Sequence, residues 1–97
     1  MDKFKTLWKT GKYFKIYIVD GKYVRDNIDD DFHLGGHSAV YSYIPEGEIW
    51  LENKEDAILL HEVIEHVIME YLTLDYAEAH AIATQFETLY RELNKAA

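Results

Sequence analysis

LLHEVIEHVIME, residues 59–70, repeats its apolar side chains every three to four positions, the spacing of a helix with one buried stripe. Leu60, Ile64, Val67, Ile68, Tyr71 and Leu72 continue that pattern, so a helix is expected over roughly residues 55–73. Asp75 and Glu78 have the spacing of a capping box, with Asp in place of the usual Ser or Thr, and predict the start of a second helix. Its expected apolar face is Ala79, Ile82, Phe86, Leu89, Tyr90 and Leu93. The connection around Thr73-Leu74 is short enough to make the two helices antiparallel neighbours.

Upstream the pattern changes. YFKIYIV, 13–19, is aromatic, β-branched and roughly alternating, which predicts a strand. Asp20-Gly21 then reads as a hairpin turn into KYVR. DNIDDDFHLGGH reads as a loop, with Gly35-Gly36 permitting a sharp change of direction. HSAVYSYI is a further strand candidate, PEG a turn and EIWLE a short strand. The expected fold class is α+β, a small antiparallel sheet of about four strands packed on two C-terminal antiparallel helices. One domain, 1–97, is expected: a basic N-terminal hairpin region (1–25), loop and sheet (26–54) and a two-helix region (55–94).

The 97 residues include no cysteine, which excludes disulfides and cysteine-ligated zinc and suits a reducing compartment. No apolar run approaches the roughly 18 residues of a membrane span, and no signal-peptide core is visible, so a cytoplasmic location is expected and no membrane partner. The net charge of -8 is uneven, because seven of the ten Lys/Arg fall in residues 1–25. The acidic remainder repels phosphate backbones, so nucleic acid is not an expected partner. It attracts cations.

HEVIEH places a glutamate, Glu65, at the fifth position of an HExxH-type pattern, with a histidine one residue later at His66. Taking about 100° per residue and centring the apolar stripe on Ile64, His61 lies about 60° and Glu65 about 100° from the centre, one turn apart at its edge. Glu62 and His66 fall at about 160° and 200°, so His66 is expected to be solvated. Zinc takes imidazole nitrogen and carboxylate oxygen alike, and a catalytic site uses three protein ligands. The antiparallel neighbour offers His80, whose rise of about 9 Å from the corner roughly matches the 12 Å or so to Glu65. Glu78 is a rival with a capping role. His61, Glu65 and His80 are therefore the candidate ligands. Glu62 is the candidate general base toward metal-activated water. His33 and His37, from the glycine loop, could line the cleft or complete a four-ligand shell. Tyr43, Tyr76 or His37 could stabilise an oxyanion. Two histidines and a carboxylate also suit manganese or iron, so Mn2+ and Fe2+ stand beside Zn2+.

GEIWLENKEDAILLHEVIEHVIM, 47–69, followed by His80 within DYAEAHAIATQFE, 75–87, resembles the strand-then-metal-helix block of small zincin-type metallopeptidases of phage and prokaryotes, in a form with Glu at the fifth position. The resemblance covers roughly residues 35–90. It implies a sheet over a two-helix zinc site, one Zn2+ per chain held by His61, Glu65 and His80, and Glu62 as base. It also implies a peptide or protein substrate that adds as a strand beside the strand preceding the metal helix. A homodimer is the candidate assembly for such a hydrolase. A catalytically inactive metal-binding protein and a metal-free interaction module are the alternatives.

Overall fold

The computed structural model describes residues 4–95. The elements run β1 (Lys5–Thr10), β2 (Lys15–Val19), α1 (Gly21–Asn27), β3 (Gly35–His37), β4 (Glu48–Leu51), α2 (Asp56–Tyr71) and α3 (Tyr76–Lys95). The fold is α+β: a mostly antiparallel four-stranded sheet, in the order β1-β2-β4-β3, packed against the two C-terminal helices. One pairing, β2 with β4, is parallel. The crossover it requires is the stretch that carries α1 and β3.

Side chains alternate along the central strands and bury both faces of the sheet. Tyr17, Val19 and Trp50 meet Val24 of α1 and Phe32, Ile44, Tyr41 and Tyr43 of the following loops. Ile16, Ile18, Ile49 and Leu51 face the other way, onto Ile58, Leu59 and Val63 of α2. α3 packs on α2 through Ala79 and Ala83, both fully buried one turn apart; their small side chains let the backbones approach.

Several local expectations are corrected. Asp20-Gly21 is no hairpin turn: Asp20 caps α1, its carboxylate accepting from the Tyr23 amide at 3.1 Å. The hairpin lies earlier, between β1 and β2, and closes where the Gly11 amide meets the Phe14 carbonyl. Gly35-Gly36 is strand rather than loop, because a Cβ at Gly35 would stand 2.9 Å from Leu51 and 3.3 Å from Glu62, and one at Gly36 would enter the Tyr41 ring. Bare backbone lets α2 and Tyr41 close on β3. HSAVYSYI leaves the sheet after His37 and turns back on itself, with the Tyr41 amide on the His37 carbonyl and the Ile44 amide on the Tyr41 carbonyl. β4, the strand preceding α2, already pairs on both sides, so no peptide can add beside it as expected; among the described strands the edges are β1 and β3.

α2 buries a different face from the one expected, and α3 only part of its expected face, with Ala79 buried and Ile82 and Tyr90 half-buried. α2 buries Ala57, Ile58, His61, Glu62, Glu65, His66 and Ile68, a stripe centred near Glu65 and turned roughly 100° from Ile64. Sheet and α3 cover the helix from two sides, so more than one apolar stripe is enclosed. Of the face expected for α3, Phe86, Leu89 and Leu93 remain about half exposed or more. No helix among the described residues is long and apolar enough to cross a membrane.

Candidate metal centre

Three elements bring imidazole and carboxylate groups together. α2 contributes His61 and Glu65, one turn apart, with Glu62 and His66 beside them; β3 ends at His37; α3 contributes His80 and, two turns further along, Glu87. The α2–α3 corner sets the depth. Thr73 takes a left-handed conformation (φ 54°), and Asp75 accepts from the Glu78 amide at 2.9 Å, so α3 starts where His80 draws level with Glu65. Glu78 itself is exposed at the helix start.

Glu65 is the hub. Its Oε2 lies 2.8 Å from His80 Nδ1 and 3.2 Å from His61 Nε2, and those two nitrogens are 3.2 Å apart. Its Oε1 lies 2.8 Å from His37 Nε2. His37 in turn meets His66, Nδ1 to Nδ1, at 3.1 Å. His37, Glu65, His61 and His66 are all buried, while the His80 side chain is about half exposed. Glu87 Oε1 approaches His61 Nδ1 at 2.9 Å, but off the line of an N–H bond, so the contact is an ion-pair approach without hydrogen-bond alignment.

His61, Glu65 and His80 thus form a cluster able to coordinate a metal ion, their donor atoms all within 4.8 Å of one another. A tetrahedral zinc shell with bonds of about 2.1 Å has edges of roughly 3.4 Å, so the observed 2.8–3.2 Å separations need to open by only a few tenths of an ångström. The donor chemistry fits as well: two imidazoles and one carboxylate. His37, Glu62 and Glu65 form a second group within the same limit, with Glu62 Oε1 3.9 Å from His37 Nε2.

The two carboxylates of α2 are driven in opposite directions. Burial works to raise Glu65, but hydrogen bonds from His37, His61 and His80 outweigh it and hold the carboxyl down at about 2. Glu62 has no such donors; burial, reinforced by the charge of Glu65, pushes it up to about 8. The hydrogen bond to Glu65 raises His61 against the effect of burial. Burial, and then the neighbouring His37, lower His66. A bound cation would add its own charge to this balance and favour every deprotonated form.

A cavity of roughly 290 Å³ opens over the cluster. His61, Glu62, Glu65 and His80 line it, together with His33, Tyr41, Tyr76 and Glu87. The Tyr76 hydroxyl is 3.4 Å from His80 Nδ1. At the mouth Leu34 is held at φ 65°, its amide donating to Glu52 Oε2 at 2.6 Å, while Arg25 grips the same oxygen at 2.8 Å. A side chain other than glycine in this region is strained, and Glu52 holds it there.

His61, Glu65 and His80 come together, an arrangement the helix geometry permitted without fixing, and Glu62 borders the same cavity instead of facing outward. His33 and Tyr76 are at the cavity. His37 lies behind Glu65 and does not line it. Tyr43 is elsewhere, its hydroxyl on Asp29 at 3.1 Å and its ring among the aromatic residues of the opposite sheet face. His66 is buried against His37 and Phe14, contrary to the solvated position expected for it. Glu87 and Tyr41 were missed; for Glu87 a signal existed, since residues 80 and 87 are two turns apart on one helix face. No family model, curated protein or solved structure matches this chain.

Proposed function

We propose that this chain is a minimal zinc-dependent hydrolase acting on peptide bonds, with His61, Glu65 and His80 as the metal ligands and Glu62 as general base. The observation that carries the reading is the convergence of three donor atoms, from two helices, on the floor of a cavity that a second and differently tuned carboxylate also lines. A divalent ion held there would supply Lewis acidity, activating water near neutral pH and polarising a carbonyl.

The residues would divide the work. Glu65, anionic, and the two imidazoles hold the ion against α2 and α3. Glu62 takes a proton from the attacking water as its oxygen bonds to the carbonyl carbon. It returns that proton to the leaving nitrogen as the C–N bond breaks, so it ends as it began. Its position suits both duties, because it borders the same cavity as the three proposed ligands, within reach of a water activated there. Tyr76 and Tyr41 border the cavity where a developing oxyanion needs a donor. An extended peptide would approach along β3, the sheet edge on this side.

Glu62→Gln separates the base from the ligands. The variant should keep about one zinc per chain by elemental mass spectrometry and lose about a hundredfold or more of peptide hydrolysis. Hydrolysis of a genuine substrate at the wild-type rate would remove Glu62 from the mechanism. The second reading, a metal-binding module without turnover, draws on the small core and on the proximity of His37 Nε2 to the cluster. It predicts an ion with a full protein shell that resists exchange and no hydrolysis in any peptide screen.

A further inference from the structure

A glutamate at the fifth position of an HExxH-type helix raises a problem that a histidine does not. An imidazole offers a metal one nitrogen, whereas a carboxylate can offer two oxygens, crowd the shell and cancel more of the ion's charge. In this chain the second oxygen is engaged. Glu65 Oε2 faces His61, His80 and the cavity, and Oε1 faces His37 Nε2 at 2.8 Å, on the side away from the opening.

His37 is built in for such a contact. It is fully buried, it ends the strand whose two glycines let α2 approach, and its ring stands edge-on to His66, with the two Nδ1 atoms 3.1 Å apart. One nitrogen of that Nδ1–Nδ1 pair must donate and the other accept. If His66 donates, His37 is left with its proton on Nε2, aimed at Glu65 Oε1. If a neutral His37 donates, its Nε2 is bare and would face a carboxylate oxygen, lone pair against lone pair, unless a cation lay between them; a doubly protonated His37 would again present Nε2–H to that oxygen. His66 borders a separate surface cleft with Glu46 and Glu70, where solvent can satisfy its remaining nitrogen.

We infer that His66 and His37 form an outer chain that donates to Glu65 Oε1, fixing Glu65 as a one-oxygen ligand that takes the place of an imidazole. This rests on the metal reading of His61, Glu65 and His80. In this arrangement His37 is a positioning residue that touches neither metal nor substrate. It holds the carboxylate plane, draws off part of its charge, and keeps a coordination position free. The same contact explains why the chain tolerates glutamate where the common pattern has histidine, and why His66, one residue late for that pattern, is buried.

The test uses the full chain loaded with Zn2+ or, for spectroscopy, Co2+. In the zinc-loaded protein, long-range proton–nitrogen NMR correlations should show His37 protonated at Nε2 and bare at Nδ1. His37→Leu should still bind one metal, with affinity lowered about 10- to 100-fold. Its cobalt visible absorption should weaken as the carboxylate swings to two-oxygen binding and the coordination number rises. His37→Gln, whose amide can reach Glu65, should recover part of both signals, and His66→Ala should shift them less, in the same direction. A merely structural role would lower melting temperature without moving the cobalt spectrum.

The inference is overturned if His37 Nε2 carries a metal, if a second ion is bound and lost on changing His37, or if His37→Leu matches the wild type in affinity and spectrum. In the last two cases the metal reading of His61, Glu65 and His80 stands; a single ion held by His37, Glu62 and Glu65 would overturn that reading as well. A wild-type chain that binds no metal brings down both. Should His37→Leu fail to fold, the wild-type tautomer and the Gln variant decide.

Discussion

The two faces of the sheet bury comparable numbers of large side chains and are governed by different physics. On one face Phe32, Ile44, Val24 and Trp50 interdigitate with tyrosines, and position follows from volume alone. On the other, beyond Ile49, Leu51 and Ile58, the interior between β3, α2 and α3 fills with His37, His61, Glu62, Glu65 and His66. Such a polar interior is costly unless each group finds a partner, and here the partners are largely one another. The first face contributes stability and lends the cavity Tyr41. The second gives up some packing to concentrate donors and charge at one point, the usual mark of a functional site.

Substitutions should separate the two faces, and the largest effect belongs to the apolar one. Phe32→Ala, at a fully buried ring, should cost about 3–5 kcal/mol in urea denaturation while the folded fraction keeps its metal stoichiometry. A loss of metal binding out of proportion to unfolding would mean that the faces are coupled.

Next is chelation. With zinc at a hundred times its dissociation constant, removing it should lower wild-type stability by about 2.7 kcal/mol, and Glu65→Gln should show almost none of that dependence. An unchanged chelator effect in Glu65→Gln would remove Glu65 from the ligand set.

The metal-free protein should also reveal Glu62 through pH. Its carboxyl sits at about 8 when folded and near the ordinary value of 4.5 when unfolded. Between those values the folded state holds the extra proton, so the Glu62 contribution to stability falls as pH rises from about 5 to 8. Glu62→Gln should flatten that limb in urea melts at pH 5 and pH 8 with chelator present; an unchanged slope would show Glu62 hydrated and ordinary.

Smaller effects belong at the rim. Glu52→Gln should cost about 1–2 kcal/mol, because it weakens the hold on both Arg25 and the strained Leu34. Arg91→Ala, which removes exposed contacts to Glu87 and Glu55, should stay within about 0.5 kcal/mol. A larger loss on changing Arg91 would show that Glu87, and through it His61, depends on that guanidinium.

The sequence by itself determined the elements whose signal is local. Helical periodicity marked α2 and α3, the Asp75 cap fixed where α3 begins, and EIWLE gave β4. The three ligand candidates followed from the same source, since one turn of helix and a matched rise from the corner are properties of the backbone alone. What only the tertiary structure decided was which partner each segment met. Asp-Gly became a helix cap because β2 pairs with β1 and β4 on either side and leaves no free edge for a downstream hairpin arm. Tyr41 and Tyr43 turned out of the sheet because their rings pack beside Phe32 and Trp50. His66 and Glu62 lie inside because the sheet and α3 together cover about half of the circumference of α2, on a face centred near Glu65, whereas periodicity points to the apolar stripe around Ile64. His37, 24 residues before His61 in the chain, reaches Glu65 through strand pairing and two glycines. Periodicity reports which way a side chain points from its own axis; only packing sets what it finds there.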